Sequence, residues 1–260
     1  MKGKVLSTAF ALFLALTGFS AHAATDYQDW WWNPALSGMG VNIGQQDTVL
    51  VVAWYHFSDD TRPTYLMLSG KLNGNRLSGD LYRTTGPAPG PNYDPAAVSS
   101  TAVGTASIVF ASPTSATLDY DFDGKTYSMS LQRYTYNAIP TTGQWRFGGQ
   151  GTLSNCSGNW LQNGTFLASG SLTTTRNNNG VHTTTVQYDN GDACTYTYQL
   201  AQSGTFLSGT GTFSCTTLGI SGTLTINQIR VNGDFLSLDY VAQSTSGDTC
   251  REAGKLGAAR

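Results

Sequence analysis

The sequence predicts an all-β protein of two antiparallel meander domains, barrel- or sandwich-like, with the second domain disulfide-bonded. Three observations point there. Only 12% of the 260 residues are charged, whereas glycine contributes 30 and threonine, serine and asparagine are frequent, a mixture suited to strands and tight turns. Apolar and polar residues alternate over short runs that end in Asn-Gly, Asp-Gly or Ser-Gly pairs. All four cysteines lie in the second half, at Cys156, Cys194, Cys215 and Cys250.

The first residues read as an export signal. Lys2 and Lys4 precede an apolar stretch at 5–19, and Ala21-His22-Ala23 supplies the small-x-small pattern of a signal-peptidase site. That stretch is too short for a membrane-spanning helix, so residues 1–23 are expected to be cleaved, leaving a mature chain without a membrane span. Periplasmic or extracellular residence follows. Residues 24–136 then form an N-terminal β domain with a tryptophan-rich motif, and residues 137–260 a C-terminal disulfide-bonded β domain.

From Gly38 onward, strands and turns alternate. Val41-Asn42-Ile43-Gly44 leads through Gln46-Asp47 into an apolar, aromatic strand at 48–57. Ser58-Asp59-Asp60 reverses the chain into 62–69, and Asn73-Gly74 is a hairpin signal before 77–82. Pro87, Pro89, Pro91 and Pro95 cannot donate to a ladder, so 84–95 is a surface loop. Strands resume at 104–110, 117–122 and 125–134, the last pair turned by Asp123-Gly124. The segment 136–142, with Pro140, is the expected boundary. Beyond it come 143–148, 165–175, 181–188, 194–200, 205–215, 222–231 and 234–241, with a short final strand near 251–256. Asn73-Gly74, Asn163-Gly164, Ser203-Gly204 and Asn232-Gly233 each precede a strand with a large apolar residue, at spacings too irregular for a solenoid. Closing such meanders into barrels would remove their exposed edges.

The cysteines fit an oxidising compartment. Four cysteines allow three connectivities, and because Cys194 and Cys215 flank the hairpin that turns near Ser203-Gly204, facing strands favour Cys194–Cys215 with Cys156–Cys250. No CxxC or His-x-x-His spacing supports a zinc site instead.

The segment Trp31-Trp32-Asn33-Pro34-Ala35-Leu36-Ser37-Gly38-Met39-Gly40 is distinctive. Together with Trp54-Tyr55, Arg62-Pro63 and Gly79-Asp80-Leu81-Tyr82-Arg83-Thr84-Thr85-Gly86-Pro87, it resembles a WWNPxxSGxG module of secreted proteobacterial proteins. Many of these are uncharacterised, and in some the module is appended to an exported hydrolase. The likeness spans roughly residues 30–134. The ending Gly254-Lys255-Leu256-Gly257-Ala258-Ala259-Arg260 is similar to the C-terminal β domain of such proteins. Met39 stands where the similar proteins often carry an aromatic residue. The resemblance implies export and β architecture, and it supplies no reaction.

Catalytic groups are scarce. A Ser-His-Asp triad needs a histidine, and after the leader only His56 and His182 remain, neither near a GxSxG elbow. A carboxylate pair needs two acids, yet Glu252 is the sole glutamate, and Asp59, Asp60, Asp94 and Asp234 sit at turns where they bond their own backbone. Asp119, Asp121 and Asp123 resemble the start of a calcium loop, but Ser130 occupies the position of its bidentate acid and no helices flank it. No cofactor is expected. The formal charge of −2 and the scattered basic residues give no face for nucleic acid.

The aromatic residues are the most suggestive. Neighbours on an extended chain face opposite ways, so Trp30, Trp31 and Trp32 cannot all be buried together. With Tyr65 and Tyr82 they are the candidate ligand-binding residues, suited to stacking on sugar faces. The sequence therefore points to a secreted, non-catalytic binding protein whose partner is a polysaccharide, another cell-surface polymer or a surface protein. The alternatives are a secreted hydrolase with an atypical aspartate or histidine site, and an outer-membrane barrel.

Overall fold

A computed structural model describes residues 25–158 and 161–260, so the signal peptide expected at 1–23 lies outside the described residues. The first barrel comprises β1 (Asp29–Trp32), β2 (Gly40–Gln46), β3 (Val49–Phe57), β4 (Pro63–Lys71), β5 (Arg76–Thr85), β6 (Ser99–Ser112), β7 (Ser115–Phe122) and β8 (Lys125–Arg133). Each strand pairs antiparallel with the next, and β1 closes the ring on β8 through Trp31↔Arg133 and Trp32↔Gln132. The second comprises β9 (Gly143–Ser157), β10 (Gly164–Arg176), β11 (Val181–Tyr188), β12 (Ala193–Ser203), β13 (Phe206–Cys215), β14 (Ile220–Asn232), β15 (Phe235–Ser246) and β16 (Thr249–Ala259), closed by β16 on β9. The fold is thus all-β with two antiparallel meanders, each a closed barrel in which the first and last strands pair with each other.

Turn chemistry explains the hairpins. Asp123 (φ 56°) and Gly124 (φ 70°) are both left-handed, the requirement of a two-residue type I′ turn between Phe122 and Lys125. In β3 the period of two buries Leu50, Val52, Trp54 and His56 and turns Val49, Val51, Tyr55 and Phe57 outward. The interior of the first barrel is filled by Val41, Ile43, Leu50, Leu66, Leu68, Leu77, Ile108 and Phe110.

Two differences from the sequence reading concern strand extent. The tryptophan run is itself a strand, β1, hidden by its shortness and by three large residues in succession. Strands β9 and β16 run for 15 and 11 residues instead of ending at 148 and 256, because interior glycines such as Gly149 and Gly151 erase the apolar alternation. The disulfides are Cys194–Cys215, on directly paired residues, and Cys156–Cys250. The outer faces of β10, β11 and β12 carry Thr173, Thr175, Thr185, Thr195 and Thr197, all exposed, where a lipid-facing wall would need an apolar band.

Candidate functional site

Strand alternation sorts the tryptophans. Trp31 points into the first barrel and is 1% exposed, whereas Trp30 is 42% exposed and Trp32 is half-buried. Trp31 Nε1 donates to Tyr27 O at 2.9 Å, and its ring meets Phe110 edge-on at 5.5 Å. A ring so enclosed offers no face to a ligand, which removes Trp31 from the candidate binding residues.

The rest of the motif shapes the chain around that ring. The Asn33 side chain accepts from Ala35 N at 2.9 Å and caps the 3₁₀ turn Pro34–Leu36, with Pro34 at its start. Gly38 follows with φ 97°. Gly40 lies between Trp32 and Tyr55 in the ladder, and a Cβ there would fall 3.0 Å from Trp31 O. The motif thus acts first as the device that turns β1 into β2 and plugs the barrel.

The bare backbone at Gly40 leaves a gap on the outer wall, and Trp30 crosses it. Its ring stacks on Tyr55 with centroids 5.7 Å apart and planes 24° from parallel. Tyr55 is the cross-strand partner of Tyr65, their rings 6.3 Å apart. Met67, on the same face as Tyr65, pairs with Tyr82, whose hydroxyl donates to Asp80 at 3.4 Å. Trp30, Tyr55, Tyr65 and Tyr82 are all exposed and run in one strip across β1 to β5. Three of the five sequence candidates are therefore brought together. Trp32 leans the other way, edge-on to Tyr134 at 4.9 Å, with Tyr136 a further 6.1 Å along. The sequence reading missed Tyr55, although its place among Val49, Val51 and Phe57 in the alternation marks it as outward.

The acidic candidates have other partners. Asp119 and Asp121 accept from Ser128 at 2.6 Å and Thr126 at 3.4 Å across the β7–β8 ladder. No group of three metal-ligating side chains occurs among the described residues. Asp60 accepts from Arg62 Nε at 2.6 Å and from Ser58, and the Arg62 guanidinium holds its carboxyl below the usual range. Asp94 caps the turn Pro95–Ala97 through Ala96 N at 2.9 Å. His56 Nδ1 lies 3.0 Å from Phe57 O, and the ring packs on Trp54 at 4.7 Å. His182 Nε2 bonds Thr141 Oγ1 at 2.8 Å while the ring stacks on Tyr198, and burial lowers its pKa, so the neutral form prevails. Neither imidazole has a carboxylate partner among the described residues, so neither shows the hydroxyl–imidazole–carboxylate relay of a triad.

Behind the strip, the barrels meet through a buried charge. Arg133 Nη1 reaches Asp29 Oδ2 at 2.9 Å, with side-chain exposures of 0% and 2%. Arg133 also donates to Pro113 O at 2.7 Å and Asp26 O at 2.6 Å, and its guanidinium covers Trp31 and Phe206. The same Asp29 oxygen accepts from Thr205 N at 2.8 Å and Thr205 Oγ1 at 3.0 Å, in the β12–β13 hairpin of the second barrel. Gly204 N adds a bond to Thr135 Oγ1 at 2.7 Å, and Arg230 pairs with Asp26. Burial works against the charged guanidinium, and the Asp29 carboxylate opposes that effect.

No family model matches the chain, and no curated protein does. Among solved structures, the chain is similar to a point mutant of transferrin binding protein B from Haemophilus parasuis Hp5 at 10% identity and a TM-score of 0.32. That match covers 85% of this chain and 52% of the other, so the chain spans about half its length. The isotype 1 transferrin binding protein B of serogroup B Neisseria meningitidis gives 9% identity, TM-score 0.31, and coverage of 86% and 66%. A protein of unknown function from the DUF3598 family of Nostoc punctiforme gives 11%, 0.26, 89% and 93%.

Proposed function

We propose that the protein is an exported, non-catalytic binding protein that recognises a polysaccharide of a cell surface through the outer wall of its first barrel. The observation that carries this reading is the strip of Trp30, Tyr55, Tyr65 and Tyr82, exposed rings borne by a rigid sheet. Exposed aromatic side chains in contiguous array mark interaction surfaces, and their flat apolar faces with polar edges match the faces of pyranose rings. Strands spaced by about 4.8 Å fix the rings in a row before any ligand arrives, which limits the ordering cost of binding. Asn42 and Asp80 border the strip with amide and carboxylate groups for sugar hydroxyls. Two disulfides accord with an oxidising, exported setting. The resemblance of residues 30–134 to a module of secreted proteobacterial proteins agrees with that setting.

The test is retention of the oxidised protein on insoluble polysaccharides and cell-wall material, followed by tryptophan fluorescence. Retention with an emission shift, lost in Trp30→Ala and Tyr65→Ala, is expected. Absence of retention on every glycan, or retention unchanged in both variants, refutes the reading.

A further inference from the structure

The second barrel is partly hollow. A cavity of about 340 Å³ lies at its outer end, away from the junction with the first barrel, within the usual size range of small-molecule sites. Leu153, Ala168, Tyr188, Tyr196, Phe213 and Glu252 are among the side chains on its wall. A narrower continuation of about 80 Å³ runs deeper, sharing Phe166, Ala168, Tyr188 and Tyr196 with it.

The sequence makes the room. Gly151 and Gly254 sit on the inner faces of β9 and β16, where a Cβ would fall 2.5 Å from the Phe166 ring and 2.7 Å from the Tyr240 ring. Without glycine there, those rings could not lie against the wall. Towards the rim the inward residues shrink to Cys194, Cys215, Ala242, Ser244 and Cys250. Both disulfides line this end and hold it in shape.

The chemistry of the lining is one-sided. Glu252 faces the lumen and accepts from the Tyr240 hydroxyl, and Tyr188 and Tyr196 are hydroxyl-to-hydroxyl at 3.0 Å. No lysine, arginine or histidine lines the outer cavity among the described residues. Lys255 borders the narrower continuation, but its side chain is 70% exposed and pairs with Asp239 at 3.3 Å. Asp189 and Asp192 stand on the rim, where Asp189 pairs with Arg146 at 3.3 Å and Asp192 adds to the negative field. Burial pushes the Glu252 carboxyl up, as it does the Tyr188, Tyr196 and Tyr240 phenols. A carboxylate among aromatic faces, enclosed without a cationic side chain, is the arrangement that recognises ammonium groups.

We propose that this lumen binds a small organic cation with an apolar body, its charged end between Glu252 and the rings of Tyr188, Tyr196 and Tyr240. The apolar body fills the narrower continuation against Phe147, Leu172, Val186 and Leu224. The site is independent of the strip on the first barrel, so the two readings stand or fall separately.

Hexyltrimethylammonium is the probe, titrated into the oxidised full chain by calorimetry, with hexanol and hexanesulfonate as neutral and anionic controls of equal chain length. Saturable one-to-one binding is expected, at least tenfold tighter than for either control. Glu252→Gln, which keeps the side chain's size and its bond to Tyr240, removes that advantage. If that variant does not fold, the wild type decides: nuclear Overhauser contacts should join the trimethylammonium protons to the rings of Tyr188, Tyr196 and Tyr240. No saturable binding, equal affinity for hexanol or hexanesulfonate, undiminished affinity in Glu252→Gln, or contacts only to Trp30 and Tyr55 would overturn the proposal.

Discussion

Removal of the Asp29 carboxylate is the sharpest perturbation of the fold. In Asp29→Ala, Arg133 keeps its backbone acceptors at Pro113, Gln28 and Asp26 but loses its counter-charge in a site with 0% side-chain exposure. An unpaired buried charge of this kind costs roughly 3–5 kcal/mol. The Thr205 amide and hydroxyl lose their acceptor in the same stroke, which places the cost toward the upper end. At roughly 2–4 °C per kcal/mol for a chain of this size, the thermal midpoint falls by about 6–20 °C.

The assay is urea and thermal unfolding of Asp29→Ala, Arg133→Met and the double variant. The double variant removes the orphaned charge, and Met refills much of the space over Trp31 and Phe206. It should therefore be more stable than Asp29→Ala alone, by at least about 1 kcal/mol. Salt should change none of these differences much, since the pair is buried. An Asp29→Ala cost below about 1 kcal/mol, the range of exposed ion pairs, would refute the account of a desolvated bolt between barrels.

Three further outcomes follow from other parts of the molecule. Glu252 has a folded-state pKa above its ordinary 4.5, so the folded chain holds a proton that the unfolded chain has already released. Wild-type stability therefore declines as pH rises from 4.5, and Glu252→Gln should be the more stable protein at about pH 7 with little difference near pH 4. Urea midpoints at the two pH values check this, and a reversed order refutes it. The disulfides close spans of 94 and 21 residues, so replacing Cys156 and Cys250 by serine should cost about 4–5 kcal/mol and replacing Cys194 and Cys215 about 3. Equal losses on unfolding would show that the loop-closure argument misses the dominant effect. Trp31→Ala empties the centre of the first barrel and should cost about 3–5 kcal/mol, whereas Trp30→Ala should cost well under that while affecting ligand retention.

What was legible in the sequence is what lives on one strand or one turn. Alternation in Val49–Phe57 marks both the core residues Leu50, Val52 and Trp54 and the outward Tyr55. The Ser203-Gly204 hairpin by itself sets Cys194 opposite Cys215. The strip could not be read off, because the place of Tyr65 beside Tyr55, and of Tyr82 beside Met67, depends on register between strands. The junction was further out of reach. Asp29 and Arg133 are 104 positions apart and meet only because the barrel closes β1 on β8. Glu252 read as an isolated acid near the end of the chain, and only the pairing of β15 with β16 sets it near Tyr240.

The two barrels also explain why the cysteines are confined to one of them. An eight-stranded barrel is just wide enough for its interior to be filled by side chains. The first meets that condition with Trp31, Phe110 and a succession of leucines and isoleucines, and needs no covalent link. The second carries glycine, alanine, serine and cysteine toward its outer end and splits its apolar contacts into two clusters, one around Ile226 and one around Trp145. Less buried apolar area means less stabilisation, at about 25 cal/mol per Å², and the cross-links offset the deficit by restricting the unfolded chain. Both bonds lie at the hollow end, where the packing is thinnest. A barrel selected for stability alone would fill that space with larger aliphatic side chains. Retaining the space, lining it with tyrosines and one glutamate, and bracing it with disulfides is the pattern of a lumen kept open for an occupant.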